Sequence, residues 1–296
     1  MMNHRQLETP SGTLHFPTYI PVTTFGNKYP LDGLIQPYLP RLAQAVMVSH
    51  HYARQMTKRP RLPLMIDSGG FAALFEGSRI LEEDRLGVLE INLGESPERL
   101  TPWDVLEFQE THADLAFTLD FPIPPGLPAR EARKRQKLTI ANAHWSLANR
   151  RRREMKLFAC IQGWDVKSFG KCAAAYKKAP FDGVALGGMV PRARDRELVL
   201  ACVQAVRKEI PDLPLHVFGL GHPDFLGELF AAGVDSVDSS AYVKAAADGK
   251  SWYGEGRVLT DPTTTDRLRL ALENLAFASS RLHTQKRIPI LQMIRT

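Results

Sequence analysis

Three aspartates, Asp67, Asp120 and Asp238, each stand at or near the end of a short, almost wholly apolar run. A carboxylate in such a place is costly unless it is paired or used. Two carboxylates flanking one carbon are equipped for displacement at a glycosidic centre: one attacks the anomeric carbon, the other gives and takes the proton. A carboxylate beside an amide, as Asp120 with Gln162, matches the mixed donor and acceptor edge of a purine. Gly187 and Gly188 let backbone groups come close to a flat ligand. Phe71 and Phe218 are aromatic faces for stacking, and each is also an ordinary core residue.

The runs that carry these residues are Thr18–Thr23, Ala45–Ser49, Leu64–Asp67, Leu115–Asp120, Leu157–Gln162, Gly183–Leu186, Leu215–Gly219 and Ser236–Ser239. Their near-continuous apolar character is that of parallel strands buried on both faces. Amphipathic segments alternate with them: Trp103–His112, Glu131–Arg153, Val166–Lys178, Arg196–Glu209 and Pro223–Ala232, with Asp165 and Asp195 as N-caps for two. Eight such units in 296 residues predict an α/β fold, a (β/α)8 TIM barrel. A small β insertion is expected at about 75–100, after the third strand, and a helical tail at about 261–296, the whole forming one domain (1–296). In such a barrel the strands' carboxyl ends share one mouth. That end gathers His50, Asp67, Ser68, Phe71, Asp120, Gln162, Gly187, Gly188, Met189, Phe218 and Asp238.

Charge points to a polyanion. The chain carries 38 Lys+Arg against 32 Asp+Glu, a formal +6. The excess is concentrated between Arg130 and Lys156, with Arg281, Lys286, Arg287 and Arg295 near the end. Arg133, Arg150, Arg151, Arg192 and Arg194 are the candidate phosphate contacts, although a charge run is as often a solvated helix face. No run approaches ~18 apolar residues, so no membrane partner is expected. The polar start, Met1 to Pro10, has no signal-peptide apolar block. Cys160, Cys172 and Cys202 form no CxxC, which argues against disulfides and a cysteine-rich metal site. A cytoplasmic enzyme without metal or cofactor is expected. His216, inside the seventh strand, reads as a core histidine.

Several segments together resemble the tRNA-guanine transglycosylase family, which includes enzymes placing 7-deazaguanines in DNA. They are Glu8-Thr9-Pro10 with Phe16–Val22, Ile66–Phe71 (IDSGGF) and Ser96–Gln109 (SPERLTPWDVLEFQ). Leu119–Pro125 (LDFPIPP), Cys160–Gly163 (CIQG), Asp182–Met189 (DGVALGGM) and Phe218–Ser240 follow in order. The resemblance implies a (β/α)8 barrel exchanging guanine for a 7-deazaguanine, such as preQ0, by double displacement. It implies Asp238 as nucleophile on C1′ and Asp67 as general acid/base. Asp120, Gln162 and the Gly187-Gly188-Met189 backbone would read the base, between Phe71 and Phe218; Ser68 and His50 fall near the sugar-contacting positions. The chain departs from the tRNA enzymes in one respect: their CxCxxC…H zinc motif follows the nucleophile strand, and here no cysteine follows Cys202. DNA is therefore the expected polymer, with an accessory protein for access to a duplex; tRNA is the alternative. A glycosylase that hydrolyses instead of exchanging, or a binding-only paralogue, are the other readings.

Overall fold

The computed structural model describes residues 5–24, 30–92, 97–253 and 258–280. An antiparallel hairpin, β1 (Gln6–Thr9) and β2 (Gly12–His15), precedes the barrel. Barrel strands β3 (Thr18–Pro21), β4 (Val46–Val48) and β5 (Leu64–Ile66) come next. A three-stranded antiparallel sheet follows, β6 (Arg79–Glu83), β7 (Leu86–Ile91) and β8 (Glu98–Leu100). The barrel then resumes with β9 (Leu115–Phe117), β10 (Lys156–Ile161), β11 (Gly183–Leu186), β12 (Leu215–Val217) and β13 (Ser236–Ser239). The eight barrel strands are parallel, in the order β3-β13-β12-β11-β10-β9-β5-β4. A parallel bridge between Val22 and Met47 joins the last to the first. The fold is the expected α/β barrel with its β insertion, and all eight expected strands are present.

Helices α1 (Pro30–Ile35), α2 (Leu39–Leu42) and α3 (His50–Ala53) are short; α4 (Pro102–His112) and α5 (Ala129–Asn149) follow the insertion and β9. Helices α6 (Val166–Ala174), α7 (Arg196–Glu209), α8 (Pro223–Ala231) and α9 (Ala241–Ala247) alternate with later strands, and α10 (Thr264–Ser280) closes the described chain. Asp165 and Asp195 cap α6 and α7 by accepting from the amides of Ser168 and Leu198. Helix α5 stops at Asn149 rather than Arg153 because Arg150 turns to extended backbone. The basic residues at 281–296, the end of the expected tail and Ser96 lie outside the described residues.

One device recurs at the strands' amino ends. Asp114, Asp182 and Asp235 immediately precede β9, β11 and β13. Each accepts a backbone N–H from the neighbouring strand: Leu64 (2.7 Å), Leu157 (3.0 Å) and Leu215 (2.8 Å) respectively. Each also donates its own N–H to the carbonyl of that same leucine. Each is matched by an arginine: Arg59, Arg150 and Arg207. These charge-assisted bonds fix pairs of strands in register at the end opposite the mouth.

Candidate active site

Buried amides on the outer helices set the strand ends. Gln109 of α4 directs its Nε2 to the carbonyls of Phe117 (2.9 Å), Asp67 (3.1 Å) and Ile66 (3.2 Å), tying β5 to β9. Gln136 of α5 donates to the carbonyls of Gln162 (2.7 Å) and Ser168 (3.0 Å). Asn142 donates to the carbonyls of Gly87 and Leu119 and accepts from the Gly87 amide, so the inserted sheet braces the chain just before Asp120. All three amides were passed over in the sequence; their signal is a polar residue on a helix face otherwise turned to the core.

Asp67 follows β5. Its Oδ1 accepts from the backbone amides of His50 (2.8 Å) and Gly69 (2.9 Å). Burial pushes its pKa up to about 7; the two amides oppose the shift, and the charges of Asp238 and Asp120 add to it. Asp120 is buried and its pKa is raised by desolvation. Ser68 donates to its Oδ1 (2.8 Å) and Gln162 Nε2 to its Oδ2 (2.7 Å). Gly187 sits so close to that pair that a Cβ there would lie 2.2 Å from Gln162 Nε2. Gly188 has φ +72°, a left-handed conformation that glycine adopts freely.

Asp238 lies on β13. Its Oδ1 accepts from His216 Nε2 (3.0 Å) and from the Gly219 amide (3.1 Å). His216 is fully buried and its Nδ1 meets Ser236 Oγ at 2.8 Å. The core reading of His216 was therefore right about its burial and missed its partner. The signal was present in register, because His216 pairs with Ser236 across β12 and β13, two residues before Asp238.

The aromatic and polar candidates separate by position. Phe71 is 65% exposed on the rim. Phe218 is half-buried against Phe117 and His216, with ring centroids 4.8 and 4.9 Å apart. Met189 is fully buried in the core. His50 offers Asp67 its backbone, while its ring packs edge-on against Phe108. Ser68 is spent on Asp120 and on the Gly70 amide. A cavity of about 770 Å³ opens beside Asp67 and Phe71, lined also by Tyr52, Leu100, Val243 and Lys244; Asp120, Gln162 and Asp238 are outside its lining.

Two arginines expected to contact phosphate do something else. Arg150 is buried, paired with Asp182 and bonded to the Met155 carbonyl, at the end of the barrel away from the mouth. Arg192 is also buried. Its guanidinium donates to the carbonyls of Gly188 (2.6 Å), Ile123 (3.2 Å) and Gly163 (3.4 Å), bracing three mouth loops from behind. In each case carbonyls or a carboxylate already hold the cation. Arg151 lies over the Trp103 ring on the outer helical wall. Arg133, on an early turn of α5, and Arg194, just after β11, are exposed toward the mouth end.

Residues 4–285 match the family model described as Queuine tRNA-ribosyltransferase. The chain belongs to that family. A tRNA-guanine(15) transglycosylase of Methanothermobacter thermautotrophicus is 32% identical over 201 residues, 66% of this chain and 27% of its own. The Pyrococcus furiosus protein of the same name is 26% identical over 260 residues, 85% and 42% respectively. A Queuine tRNA-ribosyltransferase of Sorangium cellulosum is 28% identical over 274 residues, 86% and 68%. The chain thus spans less than half the length of the archaeal relatives. Among the described residues, no helix is long and apolar enough to cross a membrane.

Proposed function

We propose that this chain, as a single barrel domain, exchanges guanine in a polynucleotide for a free 7-deazaguanine base such as preQ0, in the cytoplasm and without a metal or cofactor. The observation that carries the reading is the pairing of unlike carboxylates: Asp67 responds to the charge of Asp238 and Asp120 and titrates near 7, while Asp238 is held by two N–H donors. A carboxyl that keeps its proton suits an acid/base, and a carboxylate gripped by N–H donors suits a nucleophile.

In the first half-reaction an Asp238 oxygen bonds to C1′ as the bond from C1′ to the guanine nitrogen breaks, and Asp67 gives its proton to the departing base. In the second, Asp67 takes the N–H proton of the incoming base, whose nitrogen bonds to C1′ as the Asp238 ester breaks. Asp120, Gln162 and the backbone at Gly187-Gly188 read both bases in turn. One purine-like base replaces another at the same sugar, so the exchange is near thermoneutral.

The names of the relatives favour tRNA as the polymer. DNA is the second reading, favoured by one sequence observation: no cysteine follows Cys202, so the CxCxxC…H zinc motif is absent from this sequence. The reading of DNA would need the base flipped or single-stranded, and an accessory protein for a duplex. Radiolabelled guanine offered with tRNA, single-stranded DNA and duplex DNA in parallel separates these. Label entering a polymer, together with a covalent adduct on a denaturing gel that Asp238→Asn abolishes, supports the mechanism. No label in any polymer, or an adduct that persists in Asp238→Asn, defeats it.

A further inference from the structure

We infer that His216 is a positioning residue that makes the two oxygens of Asp238 unequal, with Oδ2 left as the attacking atom; this rests on the function proposed above. Both protein donors to this carboxylate, His216 Nε2–H and Gly219 N–H, converge on Oδ1. Among the described residues no hydrogen bond reaches Oδ2. A carboxylate free to rotate presents either oxygen; one clamped from two directions presents a fixed one. Fixing the nucleophile's approach is worth more than its bond energy suggests, because small misplacements of a reacting atom cost rate steeply.

The imidazole is itself held. The ionised carboxylate can only accept, so Nε2 carries the proton; in the neutral ring Nδ1 then accepts, and the Ser236 hydroxyl is the donor at 2.8 Å. The ring is fully buried between Phe117 (5.1 Å between centroids) and Phe218 (4.9 Å), which bars water from replacing either bond. Ser236, His216 and Asp238 therefore form a chain of hydrogen bonds across β12 and β13 in which the carboxylate sets the tautomer, Ser236 holds the ring and His216 aims the carboxylate. Two of its members share β13, with their side chains on the same face because they are two residues apart.

The test measures single-turnover adduct formation with a guanine-containing strand, and strand binding, in wild type, His216→Phe, His216→Gln and Ser236→Ala. Phenylalanine fills the ring's space with no donor. Adduct formation should slow by about 100-fold while strand affinity stays within about twofold, since no contact to the polymer changes. Glutamine restores an N–H near the Nε2 position and should recover most of the rate, which a purely structural role would not predict. Ser236→Ala should slow adduct formation by a few fold and serves if His216→Phe does not fold. Nitrogen-15 shifts of the wild-type imidazole should report protonation at Nε2. A wild-type adduct formed equally fast by His216→Phe, or protonation at Nδ1 alone, overturns the role of His216. A wild-type chain that forms no adduct overturns base exchange itself, and the role of Oδ2 with it.

Discussion

Gln162 donates its side-chain amide to Asp120 across 2.7 Å, so the two groups suited to a purine edge hold each other. A base entering between them must take over that bond with its own N–H donors. Asp120 then exchanges one partner for another and is never left bare, which keeps the cost of entry low.

It follows that Asp120→Asn should lower kcat/KM for guanine exchange on the order of 100-fold, because the amide offers a donor where the base offers one too. Asp120 has a raised pKa, so its protonated form is the one favoured as pH falls. Guanine affinity should therefore weaken on acidification in wild type, and a titration of KM against pH checks both statements.

Asp67, with a pKa near 7, should give the two half-reactions opposite pH profiles. Adduct formation needs its proton and should decline as pH rises through 7. Release of the adduct by an incoming base needs the carboxylate and should rise over the same window. Rapid-quench measurement of each half-reaction decides this; two parallel profiles would contradict the assignment.

The same raised pKa has a cost in stability. A carboxyl that holds its proton more tightly when folded loses stability as pH climbs from its unfolded value, near 4, to about 7. Asp67→Asn keeps an oxygen for the His50 and Gly69 amides yet cannot ionise. It should match or exceed wild type in urea unfolding at pH 8 by about 1–2 kcal/mol, a figure reduced from the full shift because the side chain meets solvent, and show little gain at pH 4.

Much of this was legible in the chain itself. Short apolar runs leading to Asp67 or Gln162 have little freedom: a strand buried on both faces is written as nearly uninterrupted apolar residues. The hairpin of β1 and β2 was not legible, because nearly all its residues are exposed or half-exposed and its pattern is weak. The roles of Arg150 and Arg192 were not legible either. A charge in sequence does not say whether it meets water or a ring of carbonyls, and both side chains turn inward. Gln109, Gln136 and His216 escaped for the converse reason: their partners at Ile66, Gln162 and Asp238 lie 43, 26 and 22 residues away along the chain and become adjacent only once the strands align.

Gln136→Leu should test the helix amides. Its loss removes a buried donor shared by the carbonyls of Gln162 and Ser168, at a cost of roughly 1–3 kcal/mol in stability. The loosened Gln162 should raise KM for the free base by about tenfold with a smaller change in kcat, as steady-state kinetics will show.

The arginines should divide by experiment as they do by burial. Arg133→Ala and Arg194→Ala should each weaken polynucleotide binding and reduce the slope of log K against log salt by up to about one. Arg150→Ala should leave that slope unchanged and lower the melting temperature, since Asp182 loses its nearer countercharge and keeps only Lys156 at 3.8 Å.

The aspartate and arginine clamps at Asp114, Asp182 and Asp235 grip the barrel at its floor, while every group assigned to chemistry stands at its rim. Mechanical integrity and substrate choice are thereby delegated to opposite poles of one molecule. Loops at the rim can be rewritten for another polymer, or another incoming base, without loosening the staves that carry them.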